Sequence, residues 1–155
     1  MMNANSHADR YLAPDLFTRK VFNPLVRWLT RRGISVWGSR ELRVVGRTSG
    51  EIRSVPVNPI QIDGTWYLVA PRGTTQWVRN LRAAGAGELV VGRRTQKFEA
   101  SELVDPSEKA RVLRPYLTKW KFEVGRFFEG VGPDATDAEL EAIADNHPIF
   151  VLDLR

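Results

Sequence analysis

The sequence predicts a mainly β fold with flanking helices, an antiparallel barrel of about six strands. Three observations carry this. Asp63-Gly64 lies between two short extended runs and is a hairpin signal, and Gly92-Arg93-Arg94 marks a second tight connection. Pro56 and Pro59 forbid a helix over residues 52–62 and assign that extended stretch to a sheet edge or a bulge. Helical periodicity is confined to the ends and the connections, so the strands do not alternate with helices as β-α-β units do.

Taken in chain order, residues 1–13 are polar and read as a flexible leader. Over 14–33, Leu16, Phe17, Val21, Leu25, Trp28 and Leu29 recur at helical spacing, with Arg19, Lys20, Arg27, Arg31 and Arg32 between them. Pro24 breaks or kinks that amphipathic helix and Gly33 ends it. Its basic face suits packing on the domain and also contact with an anionic membrane surface. Residues 34–155 are assigned to one domain. Leu42, Val44 and Val45 form a strand, followed by a turn through Thr48-Ser49-Gly50-Glu51 with glycine where positive φ is needed. After the Trp66-Tyr67-Leu68-Val69-Ala70 strand, Thr74 is the expected cap of a short helix through Trp77, Leu81 and Ala84, closed by Gly85 and Gly87. Strands at 88–91 and 95–104 follow. Asp105 or Ser107 opens a helix to about Trp120 that Pro115 disturbs, and residues 121–135 show no clear period. Thr136-Asp137-Ala138-Glu139 is a capping box for a helix to about Asp145, and Ile149 to Leu154 alternates as the last strand.

Composition narrows the chemistry. The 155 residues are 43% hydrophobic and 26% charged, enough to bury a core and unlike a disordered tail. There is no cysteine, which removes disulfides, thiolate zinc sites and thiol catalysis together. His7 and His147 are the only imidazoles, one in the polar leader and one before a proline, so neither a metal site nor a catalytic triad is expected. No apolar run reaches the length of a membrane span and no signal-peptide core opens the chain, so the expected compartment is the cytoplasm. The net charge is +5, carried by 18 Arg against 5 Lys. Arginine's planar fork suits bidentate phosphate or carboxylate recognition, so an anionic partner is favoured.

The arginines that stand beside tight turns are the candidates to hold it: Gly46-Arg47-Thr48-Ser49-Gly50, then Arg53, then Pro71-Arg72-Gly73-Thr74 ahead of a helix start. Glycine-rich turns expose N–H groups and a helix start adds partial positive charge, so together they suit a phosphate-bearing ligand. Walker-type and dinucleotide fingerprints are missing.

These same residues carry a resemblance. Gly46-Arg47-Thr48-Ser49-Gly50-Glu51-Ile52-Arg53-Ser54-Val55-Pro56 resembles the glycine-arginine-x-serine-glycine-x-x-arginine segment of the deazaflavin-dependent nitroreductase and quinone reductase family of actinobacteria. Leu68-Val69-Ala70-Pro71-Arg72-Gly73 followed by Gln76-Trp77-Val78-Arg79-Asn80-Leu81 is similar to that family's tryptophan-x-x-asparagine-leucine helix. The resemblance runs from about Leu42 to Leu103. It implies a split β-barrel like that of FMN-binding pyridoxamine-phosphate oxidases. It also implies coenzyme F420, a deazaflavin, as the source of a hydride for a quinone, nitroaromatic or activated enone. Under that resemblance Arg47, Thr48 and Arg53 would hold the phosphate and acidic tail, and Pro56, Val57 and Asn58 would lie along the ring. Ala70, Arg72 and Gly73 would contact the ring or its linker, with Trp77 and Asn80 completing the pocket. In place of the family's pocket tyrosines the chain offers Tyr116 as a candidate proton donor and Trp120, Phe122, Phe127 and Phe128 as an apolar substrate wall.

Three rival readings remain at this level: a barrel that binds the cofactor without turnover, the same barrel using FMN, and a small RNA-binding barrel. The last is disfavoured because Trp66 and Tyr67 are adjacent on a strand and point to opposite faces, so no nucleic-acid partner is expected. A small-molecule electron acceptor is the expected partner, with the chain a monomer or homodimer. The basic helix adds one prediction: deleting residues 1–32 should release the protein from anionic vesicles. Equal partitioning with and without them in a sedimentation assay would end the idea of a peripheral position at the inner face of the plasma membrane.

Overall fold

Among the described residues, 40–91 and 93–155 of a computed structural model, there are seven strands and three α-helices. The predicted leader and basic helix lie outside the described residues, as does Gly92. The strands are β1 (Arg40–Val45), β2 (Ile52–Val57), β3 (Ile60–Ile62), β4 (Thr65–Val69), β5 (Ala86–Val91), β6 (Arg94–Glu102) and β7 (Ile149–Leu154). The helices are α1 (Gln76–Ala84), α2 (Pro106–Val124) and α3 (Asp137–Ile143). All pairings are antiparallel, in the order β2-β1-β5-β6-β7-β4-β3.

The extended run over 52–62 is two strands, not one, which makes seven strands where the sequence predicts six. β2 pairs with β1 and β3 pairs with β4, so the chain crosses from one sheet edge to the other through Asn58 and Pro59 alone. Three Cα–Cα steps span at most about 11 Å, so the two edges must come together there and the sheet must curl. The result is a split barrel. Pro56 sits on edge strand β2 opposite Glu41, where its missing N–H costs no central ladder bond. The β3–β4 hairpin turns on Asp63 (φ 50°) and Gly64 (φ 84°), the positive-φ pair that matches strand twist.

Alternation divides β4 and β7 between two cores. Leu68, Phe150 and Leu152 face the inside of the curl with Leu42, Val57, Val78, Leu81 and Phe98. Val69 and Ile149 face outward under α2 and α3, against Leu113, Tyr116, Leu117, Trp120, Phe128 and Leu140. Trp66 packs against the first cluster and Tyr67 against the second, on opposite faces as their adjacency requires.

The helix boundaries hold three differences from the sequence reading. The residue at the start of α1 is Thr75, one later than Thr74, in extended conformation and with no side-chain capping bond. Gly85 closes α1 in the left-handed region, whereas Gly87 belongs to β5, where a Cβ would lie 2.9 Å from the Arg43 carbonyl oxygen and from Phe98. α2 starts on Asp105, whose carboxylate accepts from the Ser107 N–H, and runs past Trp120 to Val124 with Pro115 inside it. Eight buried residues on one side outweigh the single lost turn bond, and the Arg111 carbonyl that Pro115 cannot reach belongs to an exposed residue. α3 opens on the predicted box, with the Glu139 N–H donating to Thr136 Oγ1 at 3.2 Å.

Gly87→Ala should therefore destabilise the fold by about 1–3 kcal/mol, because the clash is with backbone and a core ring. Gly132→Ala, where a Cβ meets nothing within 4 Å, should leave the denaturation midpoint nearly unchanged. Equal midpoints for both variants would contradict the close β1–β5–β6 packing.

Candidate functional site

The turn after β1 is closed on itself. The Gly46 N–H donates to the Glu51 carbonyl at 2.7 Å and the Gly50 N–H to the Gly46 carbonyl at 2.9 Å, with Gly50 at φ 72°. Arg47 projects from this loop towards α1. Its backbone N–H and Nη1 both donate to Asn80 Oδ1, at 3.1 and 2.7 Å, and its Nη2 donates to Gln76 Oε1 at 2.9 Å. Gln76 and Asn80 are four apart, hence on one face of α1, so a single helix face fixes the loop and its guanidinium. Asn80 is buried, and this contact satisfies its carbonyl.

Between loop and helix lies a cleft of about 590 Å³. Its walls are Val44, Gly46, Arg47, Thr48, Ser49 and Arg53–Val55 on one side and Arg72, Thr75, Gln76, Trp77 and Asn80 on the other. Three arginines line it and no carboxylate does. Arg53 is exposed; its nearest acidic group is Glu51 at 3.9 Å, and its Nη2 reaches Ser49 Oγ at 3.5 Å. An inner pocket of about 90 Å³ shares four walls with the cleft, Val55, Arg72, Thr75 and Trp77. That pocket is lined by Val55–Asn58 of the edge and its link, by Val69–Arg72 after β4, and by Thr75, Trp77 and Tyr116.

Most of the residues proposed from the sequence therefore come together. Arg47, Thr48, Arg53, Arg72, Trp77 and Asn80 line the cleft, and Pro56, Val57, Asn58, Ala70 and Tyr116 line the inner pocket. Gly73 lines neither; at φ 88° it shapes the turn, donating to the Ala70 carbonyl and accepting from the Thr75 N–H. Trp77 also packs on Phe150, ring centroids 6.1 Å apart. The proposed aromatic wall is elsewhere. Trp120, Phe127 and Phe128 are buried in the outer core, with the Trp120 indole N–H donating to the Pro59 carbonyl, and Phe122 is 91% exposed. Trp120 is placed there by α2, and Phe127 and Phe128 by the short 3₁₀ turn that follows it. Gln76 and Thr75 were not among the sequence candidates; the i, i+4 relation to Asn80 points to Gln76.

Tyr116 is fully buried, and burial first, then the Glu123 carboxylate, push its phenol well above its ordinary pKa. The phenol therefore releases its proton less readily, and its oxygen has no hydrogen-bond partner in the protein. At the start of α1, Thr75 Oγ1 is buried with no hydrogen-bond partner in the protein. Among the described residues no group of His, Asp and Glu could hold a metal ion, and no helix is long and apolar enough to cross a membrane.

Comparison with known proteins follows the same lines. Residues 33–123, more than half of the chain, match the model of a family described as F420H(2)-dependent quinone reductase. No curated protein matches the chain. An F420-H2 dependent reductase, FDR-A, superposes with a TM-score of 0.54 at 16% identity, over 75% of this chain and 94% of that one. A domain-swapped dimer gives 0.55 at 16% identity, over 88% and 97%. A Listeria innocua protein named for pyridoxamine 5'-phosphate oxidase gives 0.50 at 11% identity, over 76% and 86%. At these identities the likeness shows the fold, a split barrel of the pyridoxamine-phosphate-oxidase type.

Asn80→Ala should cost about 1–3 kcal/mol, since it strands two donors of Arg47, and should raise amide exchange in the 46–51 loop. Unchanged exchange in that loop would show that α1 does not hold it.

Proposed function

The chain belongs to the F420H(2)-dependent quinone reductase family, and on that premise we propose that its three-arginine cleft holds coenzyme F420 and serves reduction of a quinone, nitroaromatic or activated enone. It is an oxidoreductase with coenzyme F420 as its cofactor. The observation that supports this use of the cleft is its lining: Arg47, Arg53 and Arg72 with no carboxylate, beside the start of α1 and next to a mostly apolar inner pocket. Such a lining suits a ligand with an anionic tail and a flat ring.

When bound and reduced, F420 supplies a hydride. The protein's part is binding and orientation. Arg53 and Thr48 would meet the phosphate and acidic tail, with Arg47 held in place for the same task by Gln76 and Asn80. Pro56, Val57 and Asn58 would flank the ring on one side, and Ala70, Arg72 and Trp77 on the other. The turn through Gly73 sets the position of that second wall. Proton delivery falls to solvent at the exposed outer cleft, because Tyr116 is fully buried and its raised phenol pKa makes it a weaker acid. A peripheral membrane position and a homodimer remain parts of this proposal; the first rests on the basic 14–33 segment.

Titration with oxidised F420, with FMN in parallel at fixed salt, tests the reading. Selective micromolar or tighter binding of the deazaflavin is expected; preference for FMN or binding of neither would overturn it. Arg53→Ala should weaken F420 binding about ten-fold or more, the loss of one charge-assisted contact. It should leave thermal stability unchanged, since its contact to Glu51 joins side chains 60% and 76% exposed. Unaltered affinity would remove Arg53 from the site.

A further inference from the structure

The cleft lies at the end of the barrel where β1 finishes. At the other end, where β1, β4 and β6 begin and β7 finishes, a second pocket of about 450 Å³ is lined by Arg40, Trp66, Leu89, Arg94, Gln96 and Leu154. Small-molecule sites run from about 300 to 1,000 Å³. Strand alternation puts all of these side chains on the inner face of the curl. Leu89 belongs to the inner core, with Trp66 and Leu154 packed against it. Arg40 stands two residues before Leu42, and Gln96 and Arg94 stand two and four before Phe98; Leu42 and Phe98 both lie in that core. Gln96 is also the cross-strand partner of Leu89.

Further along the same two strands the inner positions are apolar, with Val44 after Leu42 and Ala100 after Phe98. At this end they hold two guanidiniums and an amide. Burial first, and then the charge of Arg94, push Arg40 below its ordinary pKa, so the two cations are close enough to repel. No carboxylate side chain is among the described residues that line the pocket. Arg155 lines it too, but its guanidinium is paired with Glu99 at 2.8 Å. We propose that this end of the barrel binds a small amphipathic anion, a phosphate or carboxylate carried on a ring-sized apolar body. Arg40 and Arg94 meet the acid group, for which arginine's fork is suited, Gln96 adds an amide, and the body lies against Trp66, Leu89 and Leu154. The bound anion offsets the repulsion between the guanidiniums. It is not the hydride acceptor of the cleft. Val44 lines the cleft and stands four extended residues from Arg40, about 13 Å, with the fully buried Leu42 between them, whereas hydride transfer needs near contact. The proposal therefore holds whether or not the cleft takes F420.

Titration with naphthyl phosphate and with naphthoate, followed by NMR, tests it. Saturable, submillimolar binding of at least one acid is expected, read from shifts of the Arg40, Arg94 and Gln96 amides and the Trp66 indole N–H. The tighter of the two tells phosphate from carboxylate. Naphthol, the neutral counterpart, should bind about ten-fold more weakly or worse. Arg94→Ala should weaken the acid about ten-fold, the loss of one charge-assisted contact. Because Arg94 is exposed at the start of β6, its thermal midpoint should not move. Arg53→Ala, at the cleft, should leave these shifts and this affinity at the wild-type value. Equal affinity for naphthol would reduce the pocket to an apolar one and overturn the anion site. Wild-type affinity in Arg94→Ala overturns it as well, as do binding of neither acid and shifts confined to residues 46–58 and 70–80.

Discussion

Two residues, Asn58 and Pro59, carry the chain from one edge of the sheet to the other, and this short link governs the molecule. A seven-stranded antiparallel sheet has two free edges, and here they belong to consecutive strands. Because the link cannot stretch, the sheet curls until its edges meet, enclosing one core and leaving the other on its outer face. The Trp120 indole N–H donates to the Pro59 carbonyl, so α2 is fastened to the link itself. The inner pocket opens beside that seam, between the end of β2 and the turn that leaves β4. Where the barrel is split, the two edge strands are not joined by a ladder.

The polar groups around the seam divide by role. Asn80 and Gln76 are committed to holding Arg47, and Arg82 is committed to a bidentate pair with Glu102 at 2.7 and 2.8 Å that ties α1 to β6. These contacts set geometry before any ligand arrives. Arg53 and Thr48, both exposed, line the cleft. Rigid support beneath and exposed donors at the cleft is the arrangement expected of a preorganised binding site.

Much of the fold was legible because its punctuation is local. Asp63-Gly64 makes the hairpin that its composition demands, the Thr136–Glu139 box caps α3, and Pro56 lies on an edge strand. The break at Asn58-Pro59 was not legible, since an edge-to-edge crossing and a continuous extended strand look alike until partners are known. Thr74 and Thr75 are equivalent as sequence, and only the turn through Gly73 decides that the helix starts after the second. For the site, arginines beside glycine turns pointed to an anionic ligand on physical grounds, whereas the deazaflavin came from family resemblance. Trp120, Phe127 and Phe128 illustrate the limit. Aromatics with an obscured period serve a core as readily as a substrate wall, and α2 continuing through Pro115, with the 3₁₀ turn Gly125–Phe127 after it, puts them in the core.

The central claim is that the ligand occupies the seam, held between the 46–58 segment and the 70–80 segment. Hydrogen–deuterium exchange with and without saturating oxidised F420 tests it most directly. The account predicts slower exchange in both of those segments, with α3 and β6 unchanged. Protection confined to other parts of the barrel, or absent from both segments while F420 is bound, would contradict it.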